Sequence, residues 1–244
     1  MTRSRIQWIS PDDPPESFPA VQSALSVPNG LLAAGGDLAP ERLVYAYRHA
    51  IFPWFDNGQP ILWWSPDPRC VLLPNAFHIA RRFRRSLRSC QFRVSWNRSF
   101  PEVINACARP RVSAPGTWIT AGMIEAYMTL HREGWAHSVE VWHGHSLVGG
   151  IYGLAIGKVF FGESMFSGAN NASKVALLAL CGHLAEQEFA LIDCQMPTPH
   201  LLGLGAQLMP RDEFVELLQN ACVPAIRFRQ WPETEFAAEV LGTA

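Results

Sequence analysis

His137-Ser-Val-Glu-Val-Trp-His-Gly-His-Ser-Leu-Val-Gly-Gly-Ile-Tyr-Gly-Leu-Ala-Ile-Gly-Lys-Val-Phe-Phe-Gly-Glu-Ser-Met-Phe166 holds three strand-like runs in succession. They are His137 to Trp142, Ser146 to Ala155 and Lys158 to Phe166, each rich in β-branched and aromatic residues. The links are short and carry glycine, Gly144 in the first and Ile156-Gly157 in the second. Such punctuation reads as hairpins, so three consecutive antiparallel strands are predicted. Upstream, Thr120 can cap a helix from Ala121 to Glu133, stopped by Gly134. Downstream, Val175, Leu178, Cys181 and Leu184 recur at helical spacing within Asn171 to Gln187. Phe189 to Gln195 then reads as a buried strand, and Pro210 to Ala221 as a last amphipathic helix.

Helix, three antiparallel strands, helix, strand, helix is an α+β order. It is similar to the acyltransferase fold of the GNAT superfamily. That fold's cofactor loop carries an Arg/Gln-x-x-Gly-x-Gly/Ala signature at the start of the helix. Here the matching stretch is Ser167-Gly-Ala-Asn-Asn-Ala-Ser-Lys174, with one glycine. Acetyl-coenzyme A is therefore not predicted.

Before this core, Cys70 to Leu73 and Phe92 to Trp96 read as strands and Phe100 to Ala108 as a short helix. Residues 1–30 are rich in Pro and Ser and read as irregular, and Asn29 to Leu38 reads as turns. Pro40 to Ala50 reads as a helix. The proline punctuation of Trp63-Trp-Ser-Pro-Asp-Pro68 marks a boundary. The expected division is a small N-terminal domain, 1–67, and a GNAT-like catalytic domain, 68–244.

The chain has 244 residues, 48% hydrophobic and 17% charged, enough for a sizeable core and against disorder. No apolar stretch approaches the roughly 20 residues of a membrane helix. Basic residues near Met1 are followed by no apolar signal core, so a cytoplasmic protein is expected. Six cysteines without a C-x-x-C read as free thiols, and scattered histidines without clustered ligands predict no metal.

A net charge of −1 hides an asymmetry: Arg69 to Arg111 holds ten arginines and one acid, Glu102. Its centre is His78-Ile-Ala-Arg-Arg-Phe-Arg-Arg-Ser-Leu-Arg88. Wound as a helix, this puts Ile79, Phe83 and Leu87 on one face. Arg81, Arg82, Arg84, Arg85 and Arg88 fall opposite. An uninterrupted basic face is a footprint for a polyanion, although charge runs are most often solvated surface.

Two acids lie in apolar strands: Asp193 in Leu191-Ile-Asp-Cys-Gln195, and Glu163 in Phe160-Phe-Gly-Glu-Ser-Met-Phe166. A charge there costs several kcal/mol unless paired, about 1–3 even for a neutral polar group in mutational data. Strand alternation puts Asp193 and Gln195 on one face and Cys194 on the other. Gly162-Glu-Ser-Met-Phe166 lacks the second glycine of a nucleophile elbow. Gly35-Gly36 and Gly149-Gly150 fit neither a P-loop nor a dinucleotide fingerprint. Trp54, Trp63, Trp64 and Trp118 sit beside turn residues, where indoles can stack on bases.

Eight segments together resemble the leucyl/phenylalanyl-tRNA–protein transferases. They are Asn29 to Leu38, Ile51-Phe-Pro-Trp-Phe55, Trp63 to Arg69, Gly116-Thr-Trp-Ile-Thr120, Leu147 to Gly153, Gly162 to Ser167, Asn171-Ala-Ser-Lys174 and Leu191 to Gln195. The loop Met196 to Ala206 departs from the family's pattern. The resemblance implies transfer of Leu or Phe, less well Met, from aminoacyl-tRNA to proteins with N-terminal Arg or Lys, which marks them for degradation by the N-degron pathway. It implies no cofactor, and a monomer is expected. By the same resemblance Asp193 and Gln195 are the catalytic pair. We read Gln195 as an acceptor that orients the amine, because a carboxamide is too weak a base to keep its proton. Asp193 supplies negative charge. Ile151, Phe160 and Met165 would form the pocket for the transferred side chain, with Glu163 beside it. Trp54 and Trp118 would hold the terminal adenosine, and the arginine face would bind tRNA. A non-catalytic protein that binds the tRNA 3′ end is the alternative.

Overall fold

The computed structural model describes residues 6–109 and 117–242; Arg111 and Gly116, both named above, lie outside them. The first elements are β1 (Gln7–Ile9), β2 (Leu31–Gly35), α1 (Pro40–Arg48), β3 (Phe52–Pro53) and β4 (Leu62–Trp64). Their strands form a four-stranded sheet ordered β1-β2-β4-β3. β2 lies where the sequence reads as turns, because Leu-Leu-Ala-Ala-Gly has no strand bias of its own. All five residues are buried, and pairing with β1 and β4 makes the strand.

Next come β5 (Arg69–Leu72), α2 (Arg81–Leu87), β6 (Phe92–Trp96), α3 (Phe100–Cys107) and α4 (Ala121–Arg132). The three long strands follow: β7 (Ala136–His143), β8 (Ser146–Ile156) and β9 (Val159–Ser167). Gly144 and Gly157 make their turns with φ of 59° and 58°, where a side chain is strained. The chain ends with α5 (Ala172–Glu186), β10 (Leu191–Gln195), α6 (Pro199–Gly203), β11 (Gln207–Met209), α7 (Arg211–Ala221) and β12 (Phe236–Ala237). The second sheet has eight strands ordered β11-β5-β10-β9-β8-β7-β6-β12. The architecture is mixed α/β.

Thr120 caps α4 as expected, its hydroxyl accepting from the Met123 N–H at 3.3 Å. The arginine helix is shorter than its pattern, with Ala80 and Arg88 as flanking caps. Helix α5 is apolar nearly all round and buried against β7 and β8. Gly149 permits its approach: a Cβ there would lie 2.5 Å from the Cβ of Ala172. On the other face of the sheet, Phe100, Tyr127 and Tyr152 share one apolar core with Ile9, Leu43, Tyr47 and Trp63 from the N-terminal elements. The small first sheet is thus packed onto the large one.

β10 pairs in parallel with β9 only from Leu191↔Val159 to Asp193↔Phe161. Beyond that point β9 continues beside β8 alone, to Gly149↔Ser167. The sheet splits there, and a cavity opens in the gap.

Candidate active site

The cavity has a volume of about 1020 Å³. Gly162 to Gly168 form one wall, Cys194, Gln195 and Met196 another, and Trp54, Trp118 and Arg109 also line it. Two β-bulges shape these walls. On β9 the register jumps from Tyr152↔Ser164 to Gly153↔Gly162, which leaves Glu163 as the extra residue. On β10 it jumps from Asp193↔Val71 to Gln195↔Cys70, which leaves Cys194 as the extra residue. A bulge re-aims side chains, and both acids lie at one. Gln195 itself has φ of 62°, a left-handed conformation uncommon outside glycine.

The β10 bulge overturns the simple alternation. Asp193 is fully buried and does not line the cavity, whereas Gln195 does. Both Asp193 oxygens are held by one guanidinium: Arg69 Nε donates to Oδ1 at 2.8 Å and Nη2 to Oδ2 at 2.7 Å. Oδ1 also accepts the backbone N–H of Gln195 at 2.9 Å. Arg69 is packed between the rings of Phe52 and Phe214, 4.6 and 4.9 Å from their centroids, and donates to the Ala50 carbonyl at 3.1 Å. The charge of Asp193 is therefore neutralised inside the core, and its link to Gln195 is through the backbone.

Glu163 is the acid that meets Gln195. Its Oε1 accepts from Gln195 Nε2 and from the Tyr47 hydroxyl, both at 2.7 Å, and its Oε2 accepts from the Tyr127 hydroxyl at 2.8 Å. The two phenols are also hydrogen-bonded to each other. Burial pushes the Glu163 carboxyl up to about 7, helped by the charge of Asp193 and opposed by its three donors. Burial, and then the charge of Glu163, raise both phenols well above their ordinary value. With Nε2 engaged, Gln195 Oε1 accepts no hydrogen bond among the described residues and is available to a ligand.

A folded-state value of about 7 against 4.5 in a free chain has a sign. The native protein binds the extra proton between them. That stabilisation is complete below about 4.5 and lost as pH rises through about 7. From pH 5 to 8 the melting temperature of the wild type should fall relative to that of Glu163→Gln. Parallel curves would mean that Glu163 does not titrate there.

Ile151 and Met165 are cross-strand partners and both line the cavity. Phe160, expected beside them, does not. It lies where the strands are still paired, opposite Ile192, and packs against Trp231 at 6.3 Å between ring centroids. Trp54 is 41% exposed and rests on Trp64, 5.5 Å between centroids. Phe83 and Leu87 anchor α2, while Arg81, Arg82, Arg84, Arg85 and Arg88 are exposed. This helix adjoins the first turn of α5: Asn171 Nδ2 donates to Ser86 Oγ at 3.3 Å, and Ser173 lines the cavity. No cluster of three or more His, Cys, Asp or Glu among the described residues could hold a metal ion. No described helix is long and apolar enough to cross a membrane.

Arg69, Tyr47 and Tyr127 were not foreseen. For Arg69 there was a signal: it heads the apolar run Cys70-Val-Leu-Leu73, and Asp193 sits in another, so each calls for an opposite charge. The tyrosines looked like ordinary members of apolar helix faces.

The fold thus brings the Gln195–Glu163 pair to the wall of a cavity that Ile151, Met165, Trp54 and Trp118 also line. The family model described as leucyl/phenylalanyl-tRNA protein transferase matches residues 71–219, and the model for its N-terminal domain matches residues 36–67. A leucyl/phenylalanyl-tRNA–protein transferase of Ectopseudomonas mendocina is 58% identical over 215 residues, 88% of this chain and 94% of that one. One of Pseudomonas aeruginosa is 56% identical over 229 residues, 94% of this chain and 97% of that one. The chain belongs to the leucyl/phenylalanyl-tRNA–protein transferase family.

Proposed function

We propose that this chain moves Leu or Phe, and less readily Met, from aminoacyl-tRNA to the N-terminal Arg or Lys of acceptor proteins, marking them for degradation. In this reading it is a cytoplasmic monomer that needs no cofactor. Residues 68–244 are a GNAT-like catalytic domain and residues 1–67 a small N-terminal domain. The observation that carries the reading is the hydrogen-bonded pair of Gln195 and Glu163 on the wall of a cavity flanked by Trp54 and Trp118.

An aminoacyl ester is already activated, so the site has only to orient an amine and favour the charged tetrahedral intermediate. The terminal adenosine stacks on Trp54 and Trp118. The Leu or Phe side chain enters between Ile151 and Met165. Gln195 Oε1 accepts from the incoming amine, and Asp193 is a positioning residue that fixes the Gln195 backbone. A tRNA-binding protein without activity would need the arginines and indoles but no polar pair in the cavity. The test is transfer of labelled Leu from Leu-tRNA to a peptide beginning with Arg, without added coenzyme. Binding of tRNA with no transfer would favour the non-catalytic alternative.

An enzyme that accepts several tRNAs for one amino acid holds phosphates rather than reading bases. Exchanging Arg82 and Arg85 for Gln should raise the apparent KM for aminoacyl-tRNA. It should flatten the log–log salt dependence by about 0.7–0.9 per lost phosphate contact. Transfer from phenylalanyl-adenosine, too short to reach α2, should barely change. Normal tRNA binding by the double variant at moderate salt would make α2 a solvated surface.

A further inference from the structure

The reaction also has to move a proton, and the cavity holds few groups able to take it. This question rests on the aminoacyl-transfer reading above. A neutral amine that adds to an ester carbon becomes positively charged on nitrogen. It must lose a proton before the intermediate collapses, and the departing 3′ oxygen of the adenosine must gain one. Gln195 is too weak a base. Asp193 is fully buried, and both its oxygens are taken by Arg69. The Cys194 thiol is held protonated by its contact with Cys70 and by burial. His200 lines the cavity but is exposed, and no described residue hydrogen-bonds its ring to hold it toward the reacting atoms.

Glu163 remains: its oxygens are hydrogen-bonded too, but to neutral donors, and unlike Asp193 it lines the cavity. Three oxygen pairs are in contact: Tyr47 with Glu163, Tyr127 with Glu163, and Tyr47 with Tyr127. Each contact needs one hydrogen, and two phenols supply two. When Glu163 is ionised, both hydroxyls point to the carboxylate and the contact between the phenols has none. When Glu163 is protonated it can donate to Tyr127, Tyr127 to Tyr47, and Tyr47 back to the other carboxyl oxygen. The ring is then complete. Tyr152 and Asp193 also face this cluster: the charge of Asp193 disfavours ionised Glu163, and burial and the charge of Glu163 keep the Tyr152 phenol protonated. Gln195 ties the cluster to the cavity wall.

We propose that Glu163 is a catalytic residue that carries the proton from the attacking amine to the departing 3′ oxygen. The amine arrives neutral, having left its ammonium proton in solvent. Nitrogen attacks the ester carbon and the C–N bond forms. Glu163 takes one N–H proton, and the phenols reorient to close the ring. The C–O bond to the adenosine breaks, and Glu163 returns the proton to the 3′ oxygen. Atoms and charge balance with no further reactant, and Glu163 ends ionised as it began.

The experiment is the pH dependence of kcat for Leu transfer to an Arg-peptide at saturating substrates, for wild type, Glu163→Gln and Tyr127→Phe. Glu163→Gln should lower kcat by about 10²–10⁴ and leave only the rise set by deprotonation of the acceptor amine, with KM for aminoacyl-tRNA little changed. Tyr127→Phe removes a donor to Oε2 and breaks the ring, so the pH at which turnover rises should move. Should Glu163→Gln fail to fold, Tyr127→Phe still decides. Added formate should partly restore turnover to Glu163→Ala, which a purely structural role would not predict. Wild-type kcat and an unchanged pH profile in Glu163→Gln, or an unmoved profile in Tyr127→Phe, overturns the proposal. If the wild type itself transfers nothing, the aminoacyl-transfer reading fails instead.

Discussion

Gln195→Ala is expected to lower turnover by about 10²–10³ while tRNA affinity stays near the wild-type value. That is the usual cost of removing one contact made as charge develops. Gln195 lines the cavity and its Nε2 is fixed by Glu163 at 2.7 Å, so its remaining carboxamide oxygen is presented in one orientation. The backbone N–H that binds Asp193 survives the exchange, so the β10 bulge and the fold survive too. In the proposed reading, affinity for tRNA comes from the arginine face of α2, which this side chain does not touch. Single-turnover transfer and a direct tRNA-binding titration separate the two quantities. Near-normal transfer by a folded Gln195→Ala protein would sink the role given to it.

The sequence was legible where structure is local. Three strands with glycine turns, the Thr120 cap and the apolar repeat of α5 each announce themselves within a dozen residues, and each forms close to its expected bounds. Strand β2 was illegible because its partners, not its residues, make it a strand. The bulges were illegible for a related reason: an extra residue is defined only against the strand opposite. That is why alternation put Asp193 and Gln195 on one face, while the inserted Cys194 sends one into the core and leaves the other at the cavity. It is also why Phe160 was grouped with Met165. Both are apolar residues of one strand, but the sheet splits between them. Polarity in an apolar setting was the most informative signal, since it pointed to Glu163 and Asp193 before any geometry was known. What it did not supply was the partner of each.

Those partners make Arg69→Met the substitution with the largest expected effect on stability. Arg69 and Asp193 are 124 residues apart, and their side chains are 1% and 0% exposed. Burying two charges is expensive, and here that cost is offset by attraction in good geometry: a two-point fork, a third bond to Ala50 and two aromatic rings against the guanidinium. Removing one partner leaves the other as an uncompensated charge in the core, which costs about 3–5 kcal/mol. Asp193→Ala should cost a similar amount by stranding Arg69. Loss of activity in either variant is therefore ambiguous until folding has been measured. Urea unfolding of Arg69→Met, Asp193→Leu and the double variant resolves this. If the pair is held together mainly by mutual neutralisation, the double variant should recover most of the stability, because apolar replacements of a buried pair are often neutral. Its activity should not recover, since Asp193 also accepts the N–H of Gln195 and without it the left-handed turn loses its anchor. Recovery of both would reduce Asp193 to a charge partner, whereas recovery of stability alone makes it the residue that sets Gln195 in place.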